Sequence, residues 1–176
     1  MAIDFSRGAR TLRCTADGRV IPLNELRDGV YSHRLKGDGF AVRLRKRGTE
    51  PQGDSFGASL KRLLWQLIQP SEYVEIVAPT DGVVTSLADG LSLRTGDGVS
   101  VTVFTEVKTG FLPQIGEKVR RGSTICVATR EELQGSTLGG AIAVLFTQPQ
   151  QITELHIAAG KRRAGDRAAF YRINKG

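Results

Sequence analysis

The chain has 176 residues, with 40% hydrophobic and 24% charged side chains, a balance that supports one compact domain and excludes a disordered polymer. Its formal net charge of +7 points to an acidic partner, either a protein face or an anionic membrane surface. Aromatics make up only 6% and show no basic–aromatic interleaving, which argues against nucleic acid. The first 14 residues carry Asp4, Arg7, Arg10 and Arg13 in place of an apolar core, and no run reaches membrane-span length. A cytoplasmic protein is expected, with membrane association only at its surface.

In chain order, short β-rich runs predict strands over 11–14, 20–23, 30–35 and 40–45. An apolar stripe of Phe56, Leu60, Leu63, Leu64, Leu67 and Ile68 predicts a helix over 55–69, with Ser55 as its cap and Pro70 as its stop. Strands follow over 73–77, 83–87, 91–94, 99–106, 124–129 and 141–146. A second helix is expected over 149–159 on the stripe Ile152, Leu155 and Ala159, between Pro149 and Gly160. The last strand covers 168–173. Asp-Gly pairs at 17–18, 28–29, 38–39, 81–82, 89–90 and 97–98 read as tight hairpin turns. The fold class is therefore all-β, an antiparallel sandwich or partly closed barrel.

Cys14 and Cys126 lie far apart outside any CxxC pattern and read as buried, inert thiols. With only His33 and His156 beside them, no metal site and no cofactor is expected.

Four passages in this order resemble the glucose-type IIA domain of the bacterial sugar phosphotransferase system. They are Asp17-Gly18-Arg19-Val20 through Gly37-Asp38-Gly39-Phe40-Ala41-Val42, then Ala78-Pro79-Thr80-Asp81-Gly82-Val83-Val84. The turn Ile115-Gly116-Glu117-Lys118-Val119 through Gly122-Ser123-Thr124-Ile125 comes next, and Ile152-Thr153-Glu154-Leu155 through Gly165-Asp166 closes the series. The resemblance spans about residues 16–173 and implies the IIA-glucose-like sandwich, a duplicated hybrid motif, over a single domain of 1–176 with 43–77 as a helical insertion. Members of that family relay phosphate from the phosphocarrier HPr to a sugar permease and bind other proteins as regulators.

In the family, one histidine carries the phosphate and a second stabilises it by a donated hydrogen bond. Matching without gaps across 89–108 puts Phe104 at the accepting position and Asp89 at the supporting one. Phenylalanine has no nucleophile, and a carboxylate repels phosphate. Thr102 replaces a family aromatic on the docking face, and Lys108 replaces a flanking acid. With Glu106 they are the candidate binding-face residues. The implied function is a non-catalytic, regulatory or protein-binding IIA-like module.

A phosphocarrier with a relocated acceptor is the alternative, through His33, His156 or an acyl-phosphate on Asp89, although ordinary strand and surface roles suit the histidines better. The HxxxD and HxH elements of LytM-type zinc endopeptidases do not occur.

The insertion opens with Arg43, Arg45, Lys46 and Arg47 and runs into the amphipathic helix, where Lys61, Arg62 and Trp65 lie off the apolar stripe. Packing of that stripe on the sandwich is the simpler expectation. The other is a membrane-surface adaptor, with Arg45, Lys46, Arg47, Lys61, Arg62 and an exposed Trp65 as the interaction residues.

Overall fold

The computed structural model describes residues 8–26, 28–29, 37–48, 50–107 and 110–176. The expected strand over 30–35, His33 and Lys108 lie outside the described residues. Among the described residues, thirteen strands pair in antiparallel fashion throughout. They are β1 (Arg10–Arg13), β2 (Gly18–Pro22), β3 (Asp38–Arg43), β4 (Tyr73–Val77), β5 (Gly82–Ser86), β6 (Leu91–Arg94) and β7 (Ser100–Phe104). Then come β8 (Lys118–Val119), β9 (Thr124–Thr129), β10 (Ala141–Phe146), β11 (Ile152–Ile157), β12 (Gly160–Arg162) and β13 (Arg167–Ile173). An eight-stranded sheet runs β12-β2-β3-β10-β7-β6-β5-β8, beside a three-stranded sheet β1-β13-β11 and the pair β4-β9.

Strand alternation sorts the large sheet into two faces. Phe40, Val42, Val101 and Val144 point inward and meet Leu12, Ala168, Ala169 and Tyr171 of the three-stranded sheet. On the same face Leu91, Leu93, Val103 and Ile142 meet Val74, Ile76, Ile125 and Ala128 of the β4-β9 pair. The opposite face is covered by Leu23, Leu26 and Leu138, packed on Ile21, Ala41, Ala143 and Leu145. Every residue of β10 is buried, because this central strand faces apolar groups on both sides. The result is the all-β sandwich that the residues predict.

The Asp-Gly pairs divide into two kinds. Gly90 and Gly98 turn hairpins with φ of 93° and 82°, as expected. Gly18, Gly39 and Gly82 instead lie inside strands, where a neighbouring backbone leaves no room for a side chain. A Cβ on Gly39 would sit 1.9 Å from the Val144 carbonyl oxygen.

The second expected helix is overturned. Pro149–Gln151 forms one 3-10 turn and the chain then extends as β11 along β13. The register slips between Ile152 and Glu154, so Ile152 and Leu155 reach the same core although three residues apart. That bulge mimics helical spacing. His156 accordingly lies exposed on a strand, 6.5 Å from the Phe170 ring.

One short helix, α2 (Arg130–Gln134), follows β9; Glu132 donates its N–H to the Thr129 hydroxyl across its first turn. Cys14 and Cys126 are fully buried, and burial pushes each thiol up to about 11.

Candidate functional site

Phe104 ends β7 and Asp89 occupies the β5–β6 hairpin, yet the two share one cavity of about 200 Å³. The β6–β7 pairing sets Ser92 opposite Thr102, and their hydroxyls are 2.7 Å apart. Ser86, Leu145 and Thr147 complete the lining. Gly90 lets the hairpin close over this spot: a Cβ there would meet the Val103 carbonyl oxygen at 2.4 Å. Thr102 is almost fully buried and Phe104 is half-buried, its ring against the outer apolar cluster. The cavity offers hydroxyls and one carboxylate but no imidazole.

Glu106, two residues beyond Phe104, turns away to hold Thr137. Its carboxylate accepts from the Thr137 N–H at 3.0 Å and from the hydroxyl at 2.7 Å. It fixes the loop before β10 and does not line the Phe104 cavity. Among the described residues no three of His, Cys, Asp and Glu gather to hold a metal ion.

The arm between β3 and β4, residues 44–72, forms its helix as the capping residues dictate. In α1 (Phe56–Ile68), Ala58 donates its N–H to Ser55 Oγ at 3.2 Å, and Gln69 closes the last turn onto Trp65. The expectation that the apolar stripe packs on the sandwich fails, since no residue of α1 is buried. Phe56 is 87% exposed and Leu67 74%, with Leu60, Leu63, Leu64 and Ile68 also exposed. No helix among the described residues is long and apolar enough to cross a membrane.

The opposite side of α1 is the covered one. Arg47 lies over the Trp65 ring at 5.7 Å, and Gly48 donates its N–H to Gln69 Oε1 at 2.6 Å. Arg62 pairs with Glu50 at 3.3 Å and donates to the Gly53 carbonyl at 3.2 Å. Trp65 is therefore half-covered by the arm's own chain, a correction to its reading as an exposed anchor. Arg62 and Arg47 are occupied in the same way, whereas Arg45, Lys46 and Lys61 remain on the surface.

Arg130 holds the two ends of the arm together. Its Nη1 donates to the Arg45 carbonyl at 2.7 Å and its Nε to the Ser71 carbonyl at 2.9 Å. Burial first, and then the neighbouring Arg47 charge, pull this guanidinium below its ordinary pKa. Sequence reasoning missed it, because an arginine opening a five-residue helix carries no periodic signal. Only the tertiary approach of residues 45 and 71 reveals its role.

No protein-family model matches the chain, and no curated protein matches it. Among solved structures it is similar to glucose permease IIA from Mycoplasma capricolum, with a TM-score of 0.65 and 17% identity. The match covers 92% of this chain and 95% of that one. The antiparallel sandwich and this superposition agree: the chain has a glucose-type IIA-like fold.

Proposed function

We propose that this protein is a non-catalytic IIA-like binding module, which regulates by contact and does not carry phosphate. The observation behind this reading is the Phe104 cavity. Where the resemblance expects two histidines, a half-buried phenyl ring and Asp89 stand beside a hydrogen-bonded Ser92–Thr102 pair. A phenyl ring cannot accept a phosphoryl group, and the Asp89 carboxylate repels the incoming anion. Thr102 is buried and Glu106 is committed to Thr137, so neither side chain is free to reach a partner. Incubation with phosphoenolpyruvate, enzyme I and HPr is expected to leave the protein unlabelled. Stable phosphohistidine at any position, His156 and His33 included, would overturn the reading.

A second reading, docking on an anionic membrane surface, is favoured by the exposed stripe of α1. Six large apolar side chains face solvent along one helix, with Arg45, Lys46 and Lys61 close by. Burial of an apolar face at the headgroup boundary, aided by cations, is how interfacial helices bind. Flotation with phosphatidylserine vesicles should then weaken as salt rises and fail in the Leu63→Gln, Leu67→Gln double variant. Binding indifferent to both changes rules out this mode.

A further inference from the structure

Three cations stand side by side at one end of the eight-stranded sheet. Lys161 on β12 pairs in register with Arg19 on β2, and Arg19 pairs with Arg43 on β3. Directly opposed residues share a face with Cβ atoms about 5 Å apart, so the row is about 10 Å long. All three are exposed, and none is ion-paired to a carboxylate of the described residues. Like charges placed opposite each other weaken a strand pair. Arg43 also donates from Nη2 to the Glu25 carbonyl at 3.0 Å, which leaves part of its guanidinium fork for a ligand, and the core requires none of the three.

The row forms part of a groove of about 1110 Å³ between the sheet end and the base of the inserted arm. Arg45, Arg163 and the buried Arg130 also line it. Two carboxylates face them, and both already accept a hydrogen bond: Asp17 from the Ala164 N–H at 2.8 Å, Glu75 from the Thr124 hydroxyl. Leu44, Val74 and Val77 supply an apolar floor.

We propose that this groove binds a di- or polyphosphate group, free or carried on a small organic molecule. Guanidinium forks match phosphate oxygens two at a time, and cations this closely spaced suit anionic groups joined directly to one another. The concave shape and apolar floor are those of a small-ligand site. A long nucleic-acid strand would call for a row of stacking aromatics, and only Tyr73 lies at this groove. The groove lies at the β12-β2-β3 side of the sheet and the Phe104 cavity over β10-β7-β6-β5, and they share no lining residue, so the two readings stand or fall separately.

Calorimetric titration with inorganic pyrophosphate, ADP and orthophosphate tests the idea on the intact protein. Saturable binding of pyrophosphate, tighter than that of orthophosphate, is expected. Tighter binding of ADP than of pyrophosphate would assign the apolar floor to an organic body; equal binding would assign the site to the phosphate chain alone.

Arg19→Glu converts the row to alternating sign. It should raise the melting temperature of the free protein while weakening pyrophosphate at least about tenfold, the loss of one charge-assisted partner. At equal concentration, pyrophosphate should raise the melting temperature of the parent protein more than that of this variant. Absence of saturable binding, unchanged affinity in Arg19→Glu, or binding of a hexaglutamate peptide in place of pyrophosphate would each overturn the proposal.

Discussion

Replacing Arg130 by methionine is expected to destabilise the protein by about 2 kcal/mol and to open the arm between β3 and β4 to proteases. Both guanidinium bonds end on backbone carbonyls, those of Arg45 and Ser71, which have to be solvated or left unpaired when the donor goes. Hydrogen bonds from a charged donor contribute about 1.5–3 kcal/mol each. Removing the charge also relieves its burial and its repulsion with Arg47, which offsets part of that loss.

The melting temperature should fall by about 4–8 °C for a chain of this size. Limited proteolysis should cut between residues 46 and 70 while the sandwich stays whole. Arg130→Lys should rescue little, because an ammonium on a flexible stem lacks the fork that spans two carbonyls. A methionine variant as stable and as protease-resistant as the parent would show that the arm is held by other contacts.

Gly39→Ala is expected to cost more, about 3–5 kcal/mol, which is a large share of the stability of an ordinary domain. The added Cβ would lie 1.9 Å from the Val144 oxygen and 2.9 Å from its carbonyl carbon. Both obstacles are backbone of β10, the central strand, buried on both faces, so neither can swing aside. Gly96→Ala is the matched control. No atom lies within 4 Å of the Cβ it would add, and its backbone does not need a positive φ. Urea midpoints should separate the two variants widely. A Gly39→Ala protein within about 1 kcal/mol of Gly96→Ala would mean that the β3–β10 pair can shift as a unit.

The strands were legible because their signals are local. Alternation marks β4 and β6, a continuous apolar run marks β10, and Ser55 and Pro70 bracket α1 as their chemistry requires. Features that depend on pairing were not. An Asp-Gly pair looks the same whether glycine supplies a positive φ, as at Gly90, or vacates space for a crossing carbonyl, as at Gly39. The spacing of Ile152 and Leu155 reads as helical unless the bulge beside β13 is known. The destination of the apolar stripe on α1 was equally hidden, since the hydrophobic pattern names a face without naming what covers it.

The candidate site divides along the same line. Phe104 and Asp89 were placed by their resemblance to a motif, and the cavity they share follows from the strand order. Lys161, Arg19 and Arg43 are distant in the chain, and their alignment exists only once β12, β2 and β3 pair in register.

The grip of Arg130 on residues 45 and 71 has a consequence for how this protein is built. A single guanidinium reaches both ends of the arm, so the two ends lie within a few ångströms of each other. A short bridge could join them without moving β3 or β4. The arm therefore leaves and rejoins the sandwich at nearly one point, closed by a single side chain. With its ends pinned so close, a change in the arm's length adds only a small closure cost, growing slowly with the number of residues.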